Sequence, residues 1–249
     1  MDISILIAIV FGYIAALLVN YIADVLPVKR KLAMPECKSC QARILWVDYI
    51  LNIPCKVCHQ KRSFRTICVY LIYVLVAGAL WLFPPAIGFW LGLLVVMFFG
   101  VVIVIDLEHR LVMHPVSIAG ALIGLGIGIW QHGIVMTLIG GVAGFTIMLV
   151  LFYLGIGFVK LLSRKRDMAD ADEAIGFGDV TLSGVMGIFL GWPGIVAGLI
   201  LMIVLGGIVS LFAMIFLLTG KKYHAYSAIP YAPFIALATI ILLILAPRL

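Results

Sequence analysis

Charged side chains are scarce in this chain: they make up 11% of 249 residues, against about a quarter in soluble globular domains. So few polar groups cannot cover a water-facing surface, which excludes an ordinary soluble fold. A basic n-region is also missing. The chain opens with Asp2, and its first apolar run is long for a secretory signal, so 1–26 reads as a retained helix. No internal repeat and no glycine-rich nucleotide loop is present. Hydrophobic residues fill the space that charge leaves, at 65% of the chain and a mean hydropathy of +1.26. A bilayer is the solvent for such a sequence, at about 20 apolar residues per crossing.

Apolar runs at 3–26, 67–83, 87–105, 112–130, 135–160, 178–191, 194–219 and 228–247 predict about eight transmembrane helices. The expected class is an all-α polytopic membrane protein. The run at 178–191 is short and glycine-rich. The hairpins at 83–86, 131–133 and 191–194 contain no Lys or Arg, whereas 27–66, 106–111, 160–177 and 220–227 contain all of them except Arg248. Basic loops stay in the cytoplasm. Strict alternation therefore puts those four loops inside and both termini outside. The net charge of +6 is thereby a matter of topology and implies no nucleic-acid partner. Three parts are expected: a first helix at 1–26, a cytoplasmic segment at 27–66, and a seven-helix core at 67–249. Gly140, Gly141, Gly144, Gly155, Gly157, Gly206 and Gly207 are expected to let helices approach closely.

Two constellations can carry chemistry. Cys37, Cys40, Cys55 and Cys58 form two C-x2-C pairs inside the basic segment 27–66. Four thiolates in two tight turns suit one tetrahedral zinc with no open position, a structural site that would stabilise a segment too small to hold its own core. Two disulfides are the competing reading, and a cytoplasmic location disfavours them. Cys68 reads as a buried hydrophobe, and His59 as a neighbour of the site. The second constellation is Asp106, ending the third apolar run, with Asp179, opening the sixth. Ionisable groups inside apolar sequence are candidates for function. Alone, each reads as an interfacial cap or ion-pair partner. Together on one side, they stand equally for that and for two carboxyls sharing a proton, as aspartyl protease chemistry requires. Glu108 faces elsewhere on the helix, and His109 and His114 read as solvated.

Gly176-Phe177-Gly178-Asp179 reads GxGD, the signature of intramembrane aspartyl proteases. With Ile105-Asp106, the paired knuckles and the eight-helix plan, nearly the whole chain resembles the bacterial type IV prepilin leader peptidases. Residues 20–27 (NYIADVLP) are similar to that family's Asn-Val-x-x-x-Arg-Leu-Pro stretch, and Pro230-Tyr231-Ala232-Pro233-Phe234 to its Pro-Phe-Gly-Pro. The resemblance implies that Asp106 and Asp179 are the catalytic dyad and that the four cysteines hold zinc. It also implies prepilin or pseudopilin substrates and the bacterial inner membrane. Gly176 and Gly178 would admit a substrate strand beside Asp179. Pro230 and Pro233 would leave carbonyls at 226 and 229 unpaired, or simply start a helix. The acids Asp167, Asp170, Asp172 and Glu173 would attract a basic leader, or balance Arg164, Lys165 and Arg166.

This sequence departs from the family where Thr181 stands for a usual Lys, Met113-His114-Pro115 for Ile-Pro-Asp, and Tyr70 for a glutamate. The last opposes the family's second activity, methylation of the new amino terminus with S-adenosylmethionine. Two rival classes remain: a zinc-containing membrane scaffold without catalysis, and a proton-coupled transporter carrying protons on the two Asp.

Overall fold

The computed structural model of the protein describes residues 3–162, 176–219 and 231–245. Apart from one isolated bridge between Glu36 and Arg43, its regular elements are all helices. They are α1 (Ile3–Lys29), α2 (Trp46–Ile50), α3 (Phe64–Leu82), α4 (Gly88–His109), α5 (His114–Leu162), α6 (Phe177–Leu190), α7 (Gly194–Thr219) and α8 (Ala232–Leu245). Among the described residues, five helices are long and apolar enough to cross a membrane, and α6 and α8 are shorter apolar helices. One of the five, α5, is two helices joined at Gly133, whose φ of 77° and ψ of 164° leave the helical region. With its arms counted separately, the described residues hold eight apolar helical segments. The protein is an all-α, multi-pass membrane protein.

Breaks between helices follow local chemistry. Pro84 and Pro85 follow α3, and Gly191, with φ 63°, ends α6 in a conformation open to glycine. The turn expected over 131–133 shrinks to the single residue Gly133. α1 outruns its expected end at 26: Pro27 lies inside its last turn, where it forgoes the N–H bond to the Ala23 carbonyl without stopping the helix before Lys29. Left-handed Arg30 then closes the helix, its N–H reaching the Leu26 carbonyl at 2.9 Å. The short helix α2 was not expected.

Contacts divide the chain into two compact units, Met1–Ile105 and Asp106–Leu249. In the first unit α1 packs on α3. Gly12 sits where a Cβ would lie 2.7 Å from the Ala77 Cβ, and the Tyr73 hydroxyl donates to the Val96 carbonyl at 2.8 Å.

The second unit is organised around α6, which touches α5, α7 and α8. Most of α6 is buried. At 14 residues and 1.5 Å per residue it is about 21 Å long, less than a ~30 Å hydrocarbon core. A helix wrapped in other helices need not match lipid, and it can be apolar all round. Its glycines serve that wrapping: a Cβ on Gly187 would collide with the Gly140 carbonyl, and one on Gly144 with the Ser183 carbonyl. Of the glycines expected at close approaches, Gly140, Gly141 and Gly144 are there, while Gly157 and Gly207 face open space.

A methyl group is enough to test this packing. Gly187→Ala is expected to destabilise the protein by about 1–3 kcal/mol, the usual cost of overpacking. Gly157→Ala should be neutral or slightly stabilising. Thermal unfolding of the two variants in detergent checks both.

Candidate active site and metal centre

The second unit brings the two carboxyl groups together. Asp106 lies in the last turn of α4, which left-handed Arg110 terminates with its N–H on the Asp106 carbonyl at 2.8 Å. The Asp106 side chain is 5% exposed and takes a hydrogen bond from the Ala232 N–H at the start of α8. Its Oδ2 is buried with no hydrogen-bond partner among the described residues. Asp179 is the third residue of α6 and is 9% exposed. Its carboxylate takes a hydrogen bond from the N–H of Gly176, the N-cap residue. An acid at the third helical position reaching back to the N-cap amide is half of a capping box, and the positive helix end favours it there. The two carboxyls are within electrostatic reach of each other, and the Arg110 guanidinium is within reach of Asp106.

The motif around Asp179 separates by role. A Cβ on Gly178 would stand 2.6 Å from the Val112 Cβ, so Gly178 is required by packing. Gly176 is exposed and has no such neighbour among the described residues. Thr181, where the resembled family has Lys, donates to the Gly178 carbonyl at 2.8 Å. Ser183, one turn after Asp179, is fully buried. Pro233 is buried in the first turn of α8, where a missing N–H costs no helical bond. Glu108, His109 and His114 are exposed. Pro230 and the acids Asp167, Asp170, Asp172 and Glu173 lie outside the described residues.

The first unit assembles the four cysteines. The Sγ atoms of Cys37, Cys40, Cys55 and Cys58 all lie within 4.8 Å of one another, with Cys37 to Cys58 at 3.5 Å and Cys40 to Cys55 at 3.6 Å. A tetrahedron with Zn–S bonds of ~2.3 Å has edges of about 3.8 Å, so the set fits a metal ion of that size. All four are free thiols. The knuckles are built alike. Gln41 and His59, each following the second cysteine of its pair, are left-handed at φ 56° and 54°. Their N–H groups return to the carbonyls of Cys37 and Cys55 at 2.9 and 2.8 Å. His59 is thus a turn residue, outside the ligand cluster. Backbone amides also point at the first sulfur of each pair. Those of Cys40 and Ser39 lower the Cys37 thiol, and those of Cys58 and Val57 bring Cys55 down to about 6. Both favour the thiolate that a metal requires.

One functional-looking residue escaped the sequence reading. Asp24, near the end of α1, pairs with Arg62 at 3.0 Å, with Arg65, and with Lys38 at 3.4 Å, and accepts from the Tyr49 hydroxyl at 2.9 Å. The Arg62 guanidinium also stacks 3.7 Å over the Tyr49 ring. One carboxylate thereby joins α1, the first knuckle, α2 and the approach to α3. These side chains line a cavity of about 300 Å³ beside the cysteines. A lone acid inside an apolar helix was the available signal. It passed unread because the loop charges were counted only for topology.

If the cysteines hold a structural metal, the purified protein should contain one metal ion per chain by elemental analysis. Cys37→Ser or Cys55→Ser should remove it and leave the segment open to protease.

Residues 93–211 match the type IV leader peptidase family. The prepilin leader peptidase/N-methyltransferase of Pectobacterium carotovorum subsp. carotovorum is 28% identical over 191 residues, covering 70% of this chain and 62% of the relative. The protein of the same name from Aeromonas hydrophila is 27% identical over 189 residues, covering 74% of this chain and 59% of the relative. The chain thus spans about three fifths of the length of these curated relatives. No solved structure matches. The chain resembles the type IV leader peptidase family, and residues 93–211, which include both Asp106 and Asp179, carry that resemblance.

Proposed function

We propose that this chain is a membrane aspartyl endopeptidase that removes the leader from type IV prepilin-like or pseudopilin precursors. It would act at the cytoplasmic face of a bacterial inner membrane, with both termini extracytoplasmic. The observation that carries the reading is the pair Asp106 and Asp179, two buried carboxyls from α4 and α6 within electrostatic reach. The match over 93–211 supports the same class. Like charges so close cannot both ionise cheaply, so the pair holds one proton between them. The ionised member takes a proton from water, whose oxygen attacks the scissile carbonyl carbon. The protonated member donates to the carbonyl oxygen and stabilises the charge developing there. Collapse breaks the C–N bond, and the departing amine takes the proton.

A precursor helix must unwind to present its peptide bond, and its freed backbone groups then need partners. Gly176, exposed and without a close neighbour among the described residues, would admit an extended strand beside Asp179. Thr181 is occupied with the Gly178 carbonyl and supplies no cation to the dyad where the family has Lys. The four cysteines would hold zinc, which supplies folding stability and no step of the hydrolysis.

S-adenosylmethionine, suggested by the relatives' names, is not part of the proposal. The cavity beside the cysteines is lined by Lys38, Lys61, Arg62 and Arg65, and its two carboxylates are already held, Asp24 by three cations and Glu36 by Lys29. Such a lining does not suit a sulfonium.

Cleavage of a leader-bearing precursor in proteoliposomes tests the reading. Asp106→Asn and Asp179→Asn should each lower the rate by about 10²-fold or more, in the range of acid–base catalysis, with the fold retained. Mass spectrometry should find the new amino terminus unmethylated. Unchanged cleavage in either variant would remove the dyad.

A further inference from the structure

Helix α2 is inside out for a water-soluble segment. It buries Asp48 and Tyr49, while Leu45, Trp46, Val47, Ile50 and Leu51 are 39–64% exposed. Asp48 tolerates its position through Lys56 at 2.7 Å, and Tyr49 through Asp24. The polar side of the helix is therefore satisfied inward, and its apolar side has no cover among the described residues. Water is the wrong solvent for such a face.

Its depth identifies the solvent. The Tyr13 hydroxyl of α1 donates to the Ile50 carbonyl at 2.6 Å, and the Tyr13 ring stacks on Tyr70 of α3 with centroids 4.9 Å apart. Higher on α1, Tyr21 lies against Trp46 at 5.0 Å. Helix α3 has 19 residues, or about 28 Å at 1.5 Å each, barely the ~30 Å of a hydrocarbon core. To span, it must start close to the boundary at Phe64. Tyr70 is six residues further on, about 9 Å inward. The C-terminal end of α2 thus reaches well below the start of a spanning helix. Interfacial helices bury their apolar faces by about 5–10 Å.

The surface around α2 continues both ways. Beside it, Ile14 and Leu18 of α1 and Ile67 and Leu71 of α3 are exposed in the manner of lipid-facing side chains. Around it, Lys29, Arg30, Lys31, Arg43, Lys56 and Lys61 are exposed where phospholipid headgroups would lie. Trp46, apolar with one N–H, suits the boundary between the two.

We infer that α2 and its flanks, Leu45 to Leu51, lie in the acyl region of the leaflet facing the cysteine segment, so that this segment is anchored in the bilayer rather than free above it. The occupant of the apolar face is phospholipid. Asp24, Tyr49 and Arg62 hold the helix at that depth from the protein side. This assignment does not depend on the peptidase reading.

Tryptophan quenching decides it. The chain has five Trp. With Trp81, Trp90, Trp130 and Trp192 replaced by Phe, emission from the full-length protein reports Trp46 alone. In phosphatidylcholine–phosphatidylglycerol bilayers, acyl chains brominated close to the carbonyl should extinguish most of that emission, and chains brominated near the methyl end less. Aqueous iodide should leave it unchanged. Quenching by iodide but not by brominated chains overturns the inference, and so does shielding from both, as a second copy or a protein partner would give. If the fourfold variant fails to fold, the same readings come from the difference between the native chain and Trp46→Phe.

Discussion

A carboxyl group taken out of water must find protons or partners nearby, and this constraint governs both units of the protein. Burying an isolated carboxylate is far costlier than any single contact can offset. The chain answers in two ways. Asp24 is surrounded by Arg62, Arg65, Lys38 and the Tyr49 hydroxyl, so its charge is neutralised and structural. Asp106 and Asp179 have mainly backbone amides and each other, with Arg110 within reach of the first. Among the described residues, that pair is left short of neutralising charge.

Local folding delivers the pair. Asp106 ends α4 because Arg110 turns left-handed there, and Asp179 starts α6 because an acid at its third position caps the N-terminal amides. The packing of α6 against α5 and α8 then holds both ends. Glycine contacts such as Gly140 against Gly187 bring backbones closer than side chains would permit. The short, buried α6 is thus a consequence of where Asp179 has to sit, inside protein and away from lipid.

Much of this was legible in the sequence, and the gaps have physical causes. Apolar run length located the spanning helices to within a few residues, because lipid offers the backbone no water and its polar groups must pair within the helix. The exceptions are local: Pro27 is tolerated in a last turn, and Gly133 alone makes a break expected to take three residues. The cysteine spacing announced a four-sulfur cluster, since each knuckle is a local turn. That Asp106 and Asp179 come within electrostatic reach was not legible locally, because nothing local links residues 73 positions apart. Asp24 and α2 were missed for a related reason. The segment 27–66 was read for its charge and its cysteines, while Leu45, Trp46, Val47, Ile50 and Leu51 passed as loop residues.

The pH dependence of precursor cleavage in proteoliposomes tests most directly whether Asp106 and Asp179 work as one unit with one proton. Such a unit predicts a bell-shaped profile, with one limb for loss of the shared proton and one for gain of a second, both belonging to the pair. A rate that stays flat with pH, or follows a single limb, would contradict it.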